Sequence, residues 1–196
     1  MTMDRRYVVV PARPEHVASL AGIERAAAAL LAGHAPATVL EEVTAEPELR
    51  SAQDAGRLWV ALAGEVPVGF ALVEMLAADL PHLEEMDVDP RHGRRGIGAT
   101  LLRAACEWAR HCGHDQLTLC TFRDVPWNMP FYAKAGFAEV PAEALRAELR
   151  AVVAAETSRG LDPERRVVMC RLLARSAPCV PSPALRCAPG RGRTKR

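Results

Sequence analysis

The sequence predicts an α/β fold of the α+β kind, in which seven short strands are interspersed with helices. Short runs rich in β-branched and apolar residues, such as residues 7–10, are typical of strands. Apolar residues recur three and four positions apart in residues 98–112, as they do on the buried face of a helix. Residues 58–62 and 68–73 are two apolar runs joined by a short connection, which is the pattern of an antiparallel hairpin.

The composition is that of a single globular domain. With 196 residues, of which 49% are hydrophobic and 25% charged, the chain is long enough to bury a substantial core. Its formal net charge of +1 produces no strong field toward nucleic acid or an anionic membrane. Aromatic residues make up only 5% of the sequence, which leaves few rings for stacking on bases. We therefore expect neither a nucleic acid nor a membrane as partner.

The N-terminal half is predicted to contain a strand, two helices and then the hairpin. The strand is residues 7–10, and a helix with regularly spaced apolar residues begins at Pro14. A second helix is predicted within residues 36–55, interrupted near Pro47 and ended by Gly56.

The C-terminal half continues with a fourth strand at 82–88. Asp89-Pro90 closes this strand, because proline cannot extend a ladder of hydrogen bonds. A helix then runs from Gly98 to Gly113. The remaining predicted elements are a strand at 116–121, a short helix at 128–135, a strand at 137–140, a helix at 141–160 and a strand at 165–172.

The C-terminal end of the chain differs in composition from the rest. Residues 175–196 contain six basic residues and no acidic one, and they have few apolar side chains. We predict a globular domain at 1–173 and a basic, disordered tail at 174–196.

The N-terminus leads into an apolar run of only four residues, too short for a signal peptide or a membrane span. Six cysteines without Cys-x-x-Cys spacing suggest free thiols and no metal site, so we expect a cytoplasmic protein.

A glycine-rich loop lies between the fourth strand and the helix from Gly98. Its sequence is His92-Gly93-Arg94-Arg95-Gly96-Ile97-Gly98. Backbone N–H groups at a helix N-terminus favour an anion, and glycine lets the backbone approach phosphate oxygens closely. A Gly-x-Gly-x-x-Gly motif is excluded because its third glycine is replaced by Leu101, and the lysine of a P-loop is missing. The loop is therefore either an anion site of another kind or a plain turn.

Two segments together resemble the GCN5-related N-acetyltransferases, the GNAT family. The first segment is Val88-Asp89-Pro90, followed by Arg94-Arg95-Gly96-Ile97-Gly98-Ala99 and Leu101-Leu102. The second, about 30 residues later, is Asn128 followed by Phe131-Tyr132-Ala133-Lys134-Ala135-Gly136-Phe137. The resemblance covers roughly residues 5–173. Gly93 departs from the family pattern, which begins the loop with Gln or Arg, and we expect this change to tune binding only.

The resemblance implies a mixed, mostly antiparallel central sheet of six to seven strands flanked by helices. The fourth and fifth strands of this fold splay apart and receive the pantetheine arm of acetyl-CoA between them. The implied activity is transfer of an acetyl group from acetyl-CoA to a primary amine of a small molecule or peptide, by direct attack in a ternary complex and without a metal.

The resemblance also assigns residues to the binding of acetyl-CoA. Backbone groups of Met86 and Val88 would bond the pantetheine amides, and Asn128 would bond this arm from the other side. The pyrophosphate would be held by backbone N–H groups of the loop, with help from the two arginine charges. The loop residues are Arg94, Arg95, Gly96, Ile97, Gly98 and Ala99.

The same comparison suggests catalytic groups. Tyr132 matches the family's usual proton donor to the departing thiolate. Alternate residues of a strand share a face. One face of the fourth strand would then carry His82, Glu84, Met86 and Val88, and the other Glu85 and Asp87. Both His82 and Glu84 fall where relatives carry a base, and we prefer Glu84 and then His82 as the general base. A β-bulge would reverse these faces and favour Glu85.

Other functions stay open at this stage. A catalytically silent acyl-CoA sensor would keep the loop and Asn128 but need neither Glu84 nor Tyr132. An O-acetyltransferase, or an enzyme for another acyl group, could use the same fold. Several acidic residues between 74 and 87 hint at a cationic acceptor. The sequence decides neither the acceptor nor whether the protein is a homodimer.

Overall fold

The computed structural model describes residues 6–173, so the predicted basic tail at 174–196 lies outside the described residues. Seven strands are present: β1 Tyr7–Pro11, β2 Leu58–Ala63, β3 Val66–Ala77, β4 Leu80–Val88, β5 Gln116–Phe122, β6 Ala138–Glu139 and β7 Arg166–Leu172. The α-helices are α1 Pro14–Val17, α2 Leu20–Ala28, α3 Ala37–Leu40, α4 Glu46–Asp54, α5 Ile97–His111, α6 Met129–Lys134 and α7 Ala147–Ser158. Short 3₁₀ turns occupy Ala29–Leu31, Pro90–His92, Ala142–Ala144 and Pro163–Arg165.

All seven strands form one mixed sheet, which confirms the predicted fold class. The strand order is β1-β2-β3-β4-β5-β7-β6. Neighbouring strands are antiparallel throughout, except that β4 and β5 are parallel. A parallel pair needs a crossover, and α5 provides it between β4 and β5.

Helices cover both faces of the sheet. On one face α5 buries a stripe that contains Ile97, Leu101 and Ala105. On the other face α1, α2 and α4 pack on the N-terminal strands, and α7 packs through Leu149 beside Leu80 of β4. The sheet thus separates an α5 side from an α2/α7 side, and this division decides which residues can meet at the site.

The predicted N-terminal helices are broken where local chemistry competes with the helix. The first ends at Val17, because the Ser19 hydroxyl donates a hydrogen bond of 2.7 Å to the carbonyl of His16. The second is interrupted at residues 41–45, just before Pro47 as predicted, and Pro47 itself stands in the first turn of α4, where its missing N–H costs nothing. The helix predicted at 141–160 is shorter than expected. None of the helices in residues 6–173 is long and apolar enough to cross a membrane.

Candidate active site

A deep cleft opens where β4 and β5 separate. The two strands pair only through His82 with Thr118 and Leu83 with Leu119. Beyond Leu83 they diverge, as the family resemblance implied. The cleft has a volume of about 1680 Å³ and is lined by β4, the loop before α5, α6, α2 and α7.

The loop before α5 forms a concave set of backbone N–H groups. Arg94 has a φ of 57° and Gly96 a φ of 79°, so left-handed residues alternate with other conformations along the loop. Such alternation turns successive N–H groups toward one point and makes an anion-binding nest. No carbonyl or side chain of the described residues accepts a hydrogen bond from the N–H groups of 94–99. These groups and the N-terminus of the 15-residue helix α5 together suit a phosphate.

The two arginines of this loop lie in different places. Arg94 is exposed and lines the cleft. The guanidinium carbon of Arg95 lies 5.8 Å from the centroid of the Tyr7 ring, and the Tyr7 hydroxyl is 3.1 Å from Nδ1 of His92. The Arg95 side chain is thus engaged by β1, while Arg94 is the one that lines the cleft.

Helix α6 lines the opposite wall of the cleft. Asn128 caps no N–H of α6 with its side chain, and it lines the cleft. Tyr132 packs edge-on against Phe131 and Phe137, with ring centroids 5.1 and 6.0 Å apart. Burial, and then the negative charges of Asp87 and Glu85, raise the pKa of the Tyr132 phenol. Tyr132 therefore keeps its proton at neutral pH.

A β-bulge in β4 overturns the predicted face assignment. Leu83 pairs with Val73 of β3 but Glu85 pairs with Leu72, so Glu84 is an extra residue with no partner in the register. The prediction that His82, Glu84, Met86 and Val88 share one face is wrong for this reason. His82, Glu85 and Asp87 point to the α2/α7 side, while Leu83, Met86 and Val88 belong to the α5 side.

The bulge gathers carboxylates on the α2/α7 side of the cleft. Glu85 and Asp87 stand two residues apart on the same face of β4, and Glu24 of α2 faces them across the cleft. Burial and then the neighbouring Asp87 charge raise the pKa of Glu85 well above its ordinary value. Burial, followed by the Glu24 charge, raises the pKa of Asp87 to about 8. One member of this group can therefore hold or accept a proton near neutral pH.

Glu84, the base preferred from the sequence, is the exposed bulge residue. Partial desolvation inside the cleft, and then the charges of Glu74 and Glu156, raise the pKa of Glu84 to about 7. Solvent reaches this side chain, so water screens these charges more than it screens those around Glu85. The catalytic role of Glu84 stays a prediction.

His82, the second candidate base, lies deeper in the protein. It is 2% exposed, and its Nδ1 is 2.9 Å from the hydroxyl of Thr118, which donates to the carbonyl of Pro81. Burial, and then the Arg166 charge, lower the pKa of His82 to about 4. The imidazole is thus neutral at pH 7 and poorly suited to accept a proton there.

Sequence reasoning missed Glu24, which shapes the α2 wall of the cleft. Its carboxylate is 7% exposed and accepts hydrogen bonds from the backbone N–H and the hydroxyl of Thr44. Arg159, which follows directly on α7, forms an ion pair with Glu42, two residues before Thr44. These contacts hold residues 41–45 between α2 and α7. An acidic residue inside an apolar helical stripe was the only signal in the sequence.

The described residues contain no group of three or more His, Cys, Asp or Glu side chains arranged to hold a metal ion. Cys106, Cys112, Cys120 and Cys170 form no disulfide among the described residues, while the other two cysteines lie outside the described part. Burial, and then the Glu156 charge, raise the pKa of Cys120 to about 12. Although Cys120 lines the cleft, its thiol is protonated and a poor nucleophile.

Comparison with known proteins agrees with this fold. Residues 28–137 match the model of the acetyltransferase (GNAT) family. The structure is similar to PaiA N-acetyltransferase from Thermoplasma acidophilum in complex with coenzyme A, with 17% identity and a TM-score of 0.67 over 85% of this chain and 98% of that one. It is also similar to the ribosomal-protein-S18-alanine N-acetyltransferase from Escherichia coli, with 15% identity and a TM-score of 0.58 over 90% and 99% of the two chains.

A third similar structure is N-acetylglutamate synthase from Neisseria gonorrhoeae, complexed with coenzyme A and N-acetyl-glutamate. Identity is 18% and the TM-score is 0.66 over 86% of this chain, but the match covers only 35% of the synthase. At these identities the three likenesses establish the shared fold.

Proposed function

This chain belongs to the acetyltransferase (GNAT) family, and we propose that it is an acetyl-CoA-dependent N-acetyltransferase acting on a primary amine of a small molecule or peptide. The observation that carries the proposal is that three features meet in one cleft. They are a nest of unengaged N–H groups, a gap between two parallel strands, and a group of raised-pKa carboxylates that faces a protonated tyrosine.

The α5 side of the cleft fits the binding of CoA. The N–H groups of Arg94 to Ala99 and the charge of Arg94 would hold the pyrophosphate. Backbone groups of Met86 and Val88, which pair with β3 but have no partner in β5, would bond the pantetheine arm, with Asn128 on the opposite wall. Acetyl-CoA supplies an activated thioester to this site.

We assign the general base to Glu85. An ammonium group with an ordinary pKa near 10.4 must lose a proton before it can attack. Glu84 and Glu85 both follow directly on the point where β4 and β5 stop pairing, and Glu85 is the less exposed of the two. Asp87 lies one step closer to the phosphate nest and serves to keep the pKa of Glu85 raised.

Tyr132 is proposed as the proton donor to the departing thiolate. Its phenol faces the charges of Asp87 and Glu85 from the wall opposite β4. Because its pKa is raised, Tyr132 is protonated when the reaction begins. A backbone N–H from the part of β4 that has no β5 partner would stabilise the developing oxyanion.

The acceptor is proposed to enter on the α2/α7 side, opposite the phosphate nest. Glu24, Glu85 and Asp87 make this side attractive to a cationic amine, consistent with the acidic residues noted in the sequence. The apolar residues Leu30, Leu31 and Trp127 line the same cleft and would contact the remainder of the acceptor.

A thiol-release assay tests the function. Purified protein is incubated with acetyl-CoA and a panel of polyamines, arylalkylamines, amino acids and short peptides. We expect CoA release to be stimulated by at least one class of amine, and the product to carry the acetyl group on nitrogen. If acetyl-CoA binds but no amine in the panel stimulates release, the sensor alternative is favoured. If an alcohol is acetylated in preference to every amine, N-acetyl transfer is wrong.

A further inference from the structure

We propose that Tyr7, at the start of the N-terminal strand, is a positioning residue that holds the phosphate-binding loop in its active shape. The inference rests on the proposed function, since it concerns the binding of CoA. Tyr7 neither lines the cleft nor touches the reacting groups, and it lies 85 residues from its hydrogen-bonding partner His92.

The phosphate-binding loop needs contacts from elsewhere in the chain to hold its shape. Arg94 is a non-glycine residue at a φ of 57°, a left-handed conformation that is strained for a residue with a side chain. Up to Gly93 the chain is held locally, by hydrogen bonds from His92 N to Asp89 O and from Gly93 N to Pro90 O. The backbone N–H groups of residues 94–99 donate to no acceptor within residues 6–173, as a site for an anion requires, so they cannot fix the loop.

Tyr7 provides support through two different contacts. Its hydroxyl is 3.1 Å from Nδ1 of His92, and the two rings meet edge to face with centroids 5.7 Å apart. Its ring also lies beneath the guanidinium of Arg95, 5.8 Å from the centroid, a cation–π contact. The two contacts bracket Gly93 and Arg94, the segment in which the strained residue lies.

Tyr7 is itself rigidly placed. Its backbone pairs with Ala63 of β2, and its side chain is 7% exposed within the core on the α5 side. The loop is thus tied to the frame that carries α5, whose N-terminus forms the other half of the nest. Holding the nest in shape before CoA arrives saves the free energy of ordering it on binding.

The test compares two ligands and two tyrosines. Tyr7→Phe removes the hydroxyl but keeps the ring, whereas Tyr7→Leu removes both contacts. Tyr132→Phe is the matched control, because it makes the same chemical change in the other tyrosine of the chain. The affinity for CoA is measured by titration calorimetry, and acetyl-pantetheine, which lacks the phosphates, is compared as acetyl donor through its KM.

We expect Tyr7→Phe to raise the Kd for CoA by about three- to tenfold, the loss of one hydrogen bond. Tyr7→Leu should raise the Kd further, because the cation–π contact is lost as well. The KM for acetyl-pantetheine should stay within about twofold, and Tyr132→Phe should leave the Kd for CoA nearly unchanged. Without ligand, the amides of residues 93–98 should exchange their hydrogens faster in Tyr7→Phe than in the wild type.

Three results would overturn the inference. An unchanged Kd for CoA in both Tyr7 variants would show that the loop does not depend on Tyr7. Equal weakening of CoA and acetyl-pantetheine would show only a general structural role. If Tyr7→Leu does not fold, the variants Tyr7→Phe and Arg95→Gln still test the inference. An unchanged Kd for CoA in both of them would refute the role of Tyr7. Absence of CoA binding by the wild type would instead refute the proposed function itself.

Discussion

Replacing Glu85 with glutamine is expected to lower kcat/KM by about 100-fold or more, the range typical of losing a general base. The amide has nearly the shape of the carboxylate but accepts no proton. Glu84→Gln is the matched control at the neighbouring position, where the bulge leaves the side chain exposed, and we expect it to cost less than about tenfold. Initial rates of thiol release at several acetyl-CoA and amine concentrations measure both effects.

The pH dependence of kcat/KM gives a second test of Glu85 as the general base. The base must be deprotonated, so kcat/KM of the wild type should rise with pH as Glu85, with its raised pKa, loses its proton. Glu85→Gln should lose this rise, leaving only the titration of the acceptor amine. Glu84→Gln should change the profile little. A larger loss of activity and a flattened profile in Glu84→Gln would return the role to the residue that the sequence favoured.

In the unliganded protein, the free energy of unfolding should depend on pH through the same carboxylates. The pKa values of Glu85 and Asp87 are higher in the folded than in the unfolded state, so the folded protein binds more protons between about pH 4 and 8. The contribution of this pair to the free energy of unfolding is full below pH 4 and is lost as the pH rises toward 8. Glu85→Gln should reduce this loss, which urea titrations at several pH values would detect.

Tyr132→Phe is expected to lower kcat by about 100-fold while leaving the Kd for CoA nearly unchanged. The phenol is lost, but the ring still packs between Phe131 and Phe137. An acetyl thioester of a more acidic thiol needs less protonation of its leaving group. The variant should therefore lose much less activity with such a donor than with acetyl-CoA. An equal loss with both donors would remove Tyr132 from proton donation, and an unchanged kcat would remove it from the mechanism.

Local patterns sufficed for the features that depend on neighbouring residues. The glycines and arginines before α5 predicted a loop between β4 and α5, in which the structure has left-handed residues, and the apolar periodicity predicted α5 within two residues of its observed ends. The resemblance carried by this loop and by the segment from Asn128 gave the splay of β4 and β5. Each of these features is encoded within a short stretch of chain.

The features that the sequence did not reveal depend on distant partners. The bulge at Glu84 is set by the register of β4 against β3, and no residue of β4 alone dictates it. His82 suited a base by its ordinary pKa, but burial beside Thr118 and Arg166 lowers that pKa. Glu24 and Tyr7 act on residues 20 and 85 positions away, so their roles become visible only when the chain is folded.

The most direct test of the account is calorimetric titration of the full chain with CoA. We expect one CoA to bind per chain, and we expect the affinity to fall with added salt because Arg94 and the α5 N-terminus meet the phosphates. Acetyl-CoA should bind with similar stoichiometry and release CoA when a suitable amine is added. Absence of any binding of CoA at millimolar concentration would contradict the account, because the loop from Gly93 to Gly98 would then be only a turn.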